Sequence, residues 1–167
     1  MSDTGGASGI SIRTEMRPGD LGTITYLHGT LYAREYGFDG TFEAYVAGPL
    51  SQFVLTRGDR DRVWIVEKGP SMVGCMAVVR ATEERAQLRW LLLLPDVRGH
   101  GLGKRLIREG IEFCRTHGYR TLFLWTVDVL REAPGLYRSF GFTVVEEKRH
   151  RVWGVDLTEQ CYELPLS

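Results

Sequence analysis

The sequence predicts a single α/β domain, a central mixed sheet of about seven strands flanked by four helices. Three observations carry this prediction. The chain has 167 residues, 43% of them hydrophobic, which is enough for one domain with a substantial core. A strand, an amphipathic helix and a second strand follow one another from Gln87 to Val127, the pattern of a parallel crossover. The remaining strands come in pairs joined by short turns, so they pair antiparallel and the sheet is mixed.

The elements read in the order β-α-α-β-β-β-α-β-α-β-β. Residues 1–9 (MSDTGGASG) form a flexible leader, and 10–167 form the domain. Ile10 to Met16 alternates apolar and polar as a half-buried strand does. Arg17-Pro18-Gly19-Asp20 is a turn, with Asp20 placed to cap a helix from Leu21 to Tyr36 that Gly37 stops. A second helix starts near Asp39 or Thr41 and carries Phe42, Tyr45, Val46, Leu50 and Phe53; Gly48-Pro49 is expected to kink or interrupt it. Arg62–Glu67 and Met72–Thr82 are strands of a hairpin turning at Lys68-Gly69-Pro70-Ser71. Gln87–Leu94 ends almost wholly apolar, as expected of a central strand buried on both faces, and Pro95 ends it. Leu102–His117 is the clearest helix, with Leu102, Leu106, Ile107, Ile111 and Cys114 on one stripe. Thr121–Val127 is a strand, Val129–Ser139 a short helix, and Phe142–Arg149 and Gln160–Leu166 are the last strands.

Composition narrows the function classes. The 21 basic residues balance 21 acidic ones, against the basic excess of a nucleic-acid binder. No apolar run approaches the ~20 residues that cross a bilayer, so no membrane partner is expected. Cys75, Cys114 and Cys161 are widely spaced and include no C-x-x-C pair, which fits reduced thiols in a cytoplasmic protein. The four histidines share no metal-like spacing, and no metal is expected. Of the basic residues only Lys68, Lys104 and Lys148 are lysine, an arginine bias that base composition alone can produce.

The most informative segment is Pro95-Asp96-Val97-Arg98-Gly99-His100-Gly101-Leu102-Gly103-Lys104. It runs from the end of the apolar strand into the start of the strongest helix, where free backbone N–H groups and the positive end of the helix dipole favour an anion. Glycines at 99, 101 and 103 let a phosphate approach the backbone, and Arg98 and Lys104 add charge. The G-K-[ST] ending of a P-loop is missing.

The spacing R-x-x-G-x-G resembles the pyrophosphate loop of the GCN5-related N-acetyltransferases, and the element order is that family's order. A second signature stands where the family has it: Ala133-Pro134-Gly135-Leu136-Tyr137-Arg138-Ser139-Phe140-Gly141-Phe142 resembles A-x-x-L-Y-x-x-x-G-F. Glu35 to Phe42 (EYGFDGTF) is also similar to acetyltransferase domains fused to MarR-type regulators.

The resemblance implies an enzyme that passes an acetyl group from acetyl-CoA to a primary amine by direct attack in a ternary complex. It places the backbone of Leu91, Leu92 and Leu93 beside the pantetheine, and Val97, Arg98, Gly99, His100, Gly101, Leu102, Gly103 and Lys104 around the pyrophosphate. Tyr137 matches the family tyrosine that protonates the departing thiolate. Many members carry Glu where this chain has Gln87, and glutamine cannot act as a base. Glu35 and Glu43, with Asp39 between them, are the substitutes, since the first two helices border the acceptor site in this fold. Leu130 stands where relatives often have an Asn that contacts the coenzyme. Tyr32, Tyr36, Phe38, Phe42 and Tyr45 either wall the acceptor pocket or pack the first two helices on the sheet. The four tryptophans are assigned to the core.

The expected acceptor is a small-molecule or peptide amine, and a homodimer is compatible. Two other readings stay open: a non-catalytic module sensing acyl-CoA, and an acyltransferase using another donor such as aminoacyl-tRNA.

Overall fold

The structure, a computed structural model, describes residues 9–166, so the expected leader lies outside the described residues but for Gly9. Seven strands form one sheet: β1 (Ile10–Arg13), β2 (Arg62–Lys68), β3 (Ser71–Arg80), β4 (Arg85–Leu93), β5 (Thr121–Val127), β6 (Thr143–Val152) and β7 (Val155–Pro165). Four helices complete it: α1 (Asp20–Tyr36), α2 (Gly40–Thr56), α3 (Leu102–Thr116) and α4 (Ala133–Ser139). The spatial order is β1-β2-β3-β4-β5-β7-β6. Every neighbouring pair is antiparallel except β4 and β5, joined by the α3 crossover. The predicted mixed α/β architecture and element order hold.

Strand alternation divides the core between two faces. Trp64, Val66, Met76 and Val78 pack with Leu106, Ile107, Ile111 and Cys114 of α3 and with Tyr137 of α4. Val63, Ile65, Cys75 and Ala77 point the other way, onto Ile24 and Leu31 of α1 and Leu50 and Phe53 of α2. Gly110 lets α3 sit close to the sheet, because a Cβ there would stand 3.0 Å from the Met76 methyl.

Several boundaries differ from the sequence reading, each for a local reason. β1 ends at Arg13, whose guanidinium turns to bind the Asp20 carboxylate and Glu67. Asp20 is the first helical residue rather than the cap, which is Gly19 at φ 94°. Its buried carboxylate accepts from Arg13 and from the Arg17 N–H; burial opposes its ionisation, but these donors hold it below the usual carboxyl range. α2 runs unbroken through Gly48-Pro49. Phe42 and Val46 before the proline and Leu50 and Phe53 after it are all buried on one face, and this burial sustains the helix across the missing N–H. Asp39 caps α2 as expected, accepting from the Thr41 N–H at 2.9 Å. α4 begins at Ala133 rather than Val129, with Pro134 in its first turn where no N–H is needed.

The last hairpin is longer than the sequence implied: β6 reaches Val152 and β7 starts at Val155. Only Trp153 and Gly154 lie between them, both at positive φ (53° and 82°), the backbone of a tight two-residue hairpin turn. Tryptophan is an improbable choice there, but its ring is buried among Phe38, Phe42 and Tyr45, and those contacts offset the strain.

Candidate active site

β4 and β5 pair through only three residue couples, Arg85 with Thr121, Ala86 with Leu122 and Gln87 with Phe123. Beyond Gln87 the strands part, and a cleft of about 830 Å³ opens between them, lined by residues 87–93 of β4 and 124–127 of β5. The apolar end of β4 is therefore not buried on both faces as the sequence implied. Leu88 and Leu92 are core, while Leu91 and Leu93 are half-buried on the cleft wall. Trp90 deepens the opening. It takes φ 53° where the β3–β4 register shifts, a bulge that withdraws backbone from the ladder, and its carbonyl accepts the Cys75 thiol at 3.2 Å.

At the C-terminal end of β4 a short 3-10 turn, Pro95–Val97, leads into the glycine loop. Gly99 and Gly101 both adopt φ 80°, and a Cβ at either would meet nothing within 4 Å, so the loop presents bare backbone to open space. Gly101 is the N-cap of the 15-residue helix α3. Among the described residues, the six N–H groups from Gly99 to Lys104 have no acceptor. Uncapped donors at a helix N-terminus form a site for a polyanion, and no carboxylate occupies the first turn. Val97 and Leu102 bury their side chains and offer backbone alone; His100 is exposed and off the cleft wall, whereas Gly103 and Lys104 line it.

Arg98 is already engaged. Its Nη1 and Nη2 donate to the two Glu35 carboxylate oxygens at 2.9 and 3.2 Å, and its Nε donates to the Leu93 carbonyl at 2.9 Å. This fork joins α1 to the loop across the cleft mouth, bringing together two residues that the sequence reading assigned to different substrates. Glu43 lies outside the cleft, exposed on α2, its carboxylate packed over Gly29 where the two helices cross. Asp39 is occupied as a helix cap.

Tyr137 lies on the opposite wall, buried on α4, its ring 5.8 Å from Phe142 and 5.6 Å from Tyr162 between centroids. Burial raises its pKa above that of an ordinary phenol, with Tyr162 adding to the effect, so it is protonated at neutral pH. Tyr32 faces it from α1 and is raised by burial and by Tyr137. The Thr126 hydroxyl, on β5 at the cleft, is buried with no partner among the described residues.

The predicted aromatic residues of α1 and α2 wall the cleft and also pack the helices. Tyr32 stacks on Phe42 at 4.7 Å, and Phe42 meets Trp153 at 5.0 Å. Trp90, Trp125 and Trp153, assigned to the core from sequence, border the cleft; Trp64 is core. The sequence reading missed His28, Arg89 and Thr126 as cleft residues. His28 donates from Nδ1 to the Ile24 carbonyl at 2.8 Å if that nitrogen carries the proton, and burial lowers its pKa to about 4, so the ring is neutral at pH 7. A charged residue inside a run as apolar as LRWLLLL was the available signal for Arg89.

Among the described residues no group of histidines, cysteines and carboxylates could hold a metal ion, and no helix is long and apolar enough to cross a membrane.

Comparison with known proteins agrees with this geometry. An uncharacterised N-acetyltransferase of Schizosaccharomyces pombe is 31% identical over 149 residues, 86% of this chain and 88% of that protein. Human N-acetyltransferase 8B is 32% identical over 113 residues, 62% of this chain but 50% of that protein. Among solved structures, a Salmonella typhimurium putative acetyltransferase, yncA, determined with acetyl-CoA, superposes with TM-score 0.75 over 96% of this chain and 95% of that one, at 17% identity. Spermidine N-acetyltransferase of Vibrio cholerae, solved with CoA and spermine, gives TM-score 0.70 over 96% and 97% at 16% identity. At such identities the likeness is one of fold. The sequence profile of the acetyltransferase (GNAT) family matches residues 28–142, a stretch that contains the parted strands, the glycine loop and Tyr137. With that match the strand gap and its anion loop have their explanation: this chain belongs to the GNAT family of N-acetyltransferases.

Proposed function

We propose that the protein transfers an acetyl group from acetyl-CoA to a primary amine by direct attack within a ternary complex. The observation that carries this reading is the cleft between β4 and β5, which ends at six N–H groups of the glycine loop and the start of α3 that have no acceptor among the described residues. The residues fit the coenzyme: the glycine loop would take the pyrophosphate, with Lys104 beside it, and the backbone of Leu91 to Leu93, freed from β5, would take the pantetheine. Acetyl-CoA, when bound, supplies an activated acetyl group whose C–S bond breaks as the amine's C–N bond forms.

Each remaining task falls to a residue of the chain. Where the Trp90 bulge withdraws β4 backbone from the ladder, an N–H group would donate to an oxygen that gains charge, a kind of donor worth about 3 to 4 kcal/mol in other enzymes. Tyr137, kept protonated by burial, gives its proton to the departing sulfur. The amine must lose a proton to attack. Of the carboxylates weighed for this, Glu35 is on the cleft wall and serves once Arg98 releases it; Glu43 acts only through intervening solvent. A change of partner for Arg98 from Glu35 to the pyrophosphate accomplishes that release. The three buried free cysteines fit a reducing, cytoplasmic setting, the acceptor is a small molecule or peptide rather than a nucleic acid, and the likeness of 35–42 to regulator-fused domains falls on the α1–α2 junction beside the cleft.

Calorimetric titration with acetyl-CoA, followed by an amine panel monitored for free thiol, tests the reading. Absence of binding refutes it, and binding without turnover of any amine favours a sensing module instead.

A further inference from the structure

Arg89 is a half-buried cation on the cleft wall with no carboxylate partner among the described residues. It lies on the α1/α2 face of the sheet, paired in register with Ala77, which faces those helices. Its guanidinium lies 4.9 Å from the centre of the Trp90 ring; burial lowers its pKa, and the neighbouring Tyr45 phenol works against that shift. It also borders a smaller recess walled by Asp59 and Asp61, and pairs with neither among the described residues. A guanidinium withdrawn from water without a counter-charge is costly, and its planar fork matches a carboxylate.

Its surroundings define the rest of the ligand. Tyr45, which lines the cleft with Arg89, meets Trp153 at 5.1 Å and Phe42 at 6.2 Å, so the cation sits at the edge of a continuous aromatic wall. Along β4 the order from the glycine loop is Leu93, Leu92 and Leu91, then the Trp90 bulge, then Arg89. A coenzyme that followed the strand back from the loop would reach the Trp90 bulge before Arg89, which would leave this wall for the acceptor.

We infer that the acceptor is an amine that also carries a carboxylate and an apolar, ring-bearing side chain, with Arg89 binding the carboxylate and the aromatic wall the side chain: an aromatic amino acid with a free amino group. This rests on the acetyl-transfer reading and narrows its acceptor class. Arg89 acts here as a specificity residue, remote from the bond that breaks.

The test compares L-phenylalanine and L-tryptophan with 2-phenylethylamine and tryptamine, the same amines without carboxylate, following CoA thiol release in the wild type, Arg89→Gln and Arg89→Lys. The wild type should favour each amino acid by about tenfold or more in kcat/KM, the scale of a charged hydrogen-bonded pair. Arg89→Gln should bring that ratio near one, and Arg89→Lys should restore part of it. The ratio is taken within one protein preparation, so a loss of folded protein cancels. Decarboxylated amines used as well as the amino acids, an unchanged ratio in Arg89→Gln, or turnover of none of the four by a protein that binds acetyl-CoA each overturns the inference while leaving the family reading intact. Failure to bind acetyl-CoA removes both.

Discussion

Replacing Tyr137 by phenylalanine takes one hydroxyl from the cleft wall and leaves the ring. That ring packs 5.8 Å from Phe142 and 5.6 Å from Tyr162, contacts that phenylalanine repeats, so neither the fold nor the coenzyme groove should change. What is lost is the proposed proton donor. Positioned acids contribute about 10²- to 10⁴-fold, so kcat should fall by that factor, equivalent to about 3 to 5 kcal/mol of barrier. Stopped-assay or continuous thiol detection at saturating acetyl-CoA measures kcat, and calorimetry measures the Kd, which should stay within about twofold, under half a kcal/mol. Burial raises the phenol pKa above its ordinary value near 10, so the wild-type rate should show no decline from this group as pH rises to 10. A kcat within threefold of wild type, or a loss confined to affinity, refutes the assignment of Tyr137 as the acid.

Further outcomes follow from other sites. Gly101→Ala forces a side chain into φ 80°, which costs about 1 to 2 kcal/mol; a loop that shifts to relieve it should bind acetyl-CoA about tenfold more weakly by calorimetry. Tyr162→Phe removes a buried hydroxyl without a partner among the described residues, and should raise stability by about 1 kcal/mol and Tm by about 2 to 4 °C in a thermal melt. Asp20→Asn leaves the half-buried Arg13 with Glu67 as its remaining counter-charge and should cost about 1 to 3 kcal/mol in denaturant unfolding. Because the folded-state pKa of Asp20 is lowered, its contribution is complete above an ordinary carboxyl value near 4 and is lost as pH falls through the folded value. Wild type should therefore lose this increment below about pH 4, and Asp20→Asn, which lacks it throughout, should show a shallower acid decline.

The order of elements was legible because hydrophobic period and turn chemistry are local properties. The α3 stripe and the Gly69-Pro70 turn fell where the residues indicated. The glycine loop was legible for the same reason, since a strand end, three spaced glycines and a helix start are contiguous in the chain. Tertiary packing decided the rest. Pro49 should have broken α2 by its own chemistry, but four buried side chains overrode it. Trp153 gave no local sign of a hairpin turn, because the contacts that hold its backbone at positive φ come from α2 and the α1–α2 junction. The apolar end of β4 looked like core because sequence cannot distinguish a leucine that faces a neighbouring strand from one that faces a gap. Glu35 and Arg98, 63 positions apart, met only in three dimensions.

The hairpin tip has a consequence for the order in which the protein becomes competent during synthesis. The glycine loop, α3 and Tyr137 emerge from the ribosome before Trp153, and β7, the strand that pairs with β5, follows them. A nascent chain halted after Phe142 would own the residues proposed to hold the coenzyme, yet would lack the ring that closes the aromatic wall against Phe38, Phe42 and Tyr45. On the proposed reading, discrimination among acceptors thus depends on residues made after the anion loop, so a truncation or frameshift between Phe142 and Trp153 would strike selectivity and the β5 edge and leave the sequence of the anion loop intact.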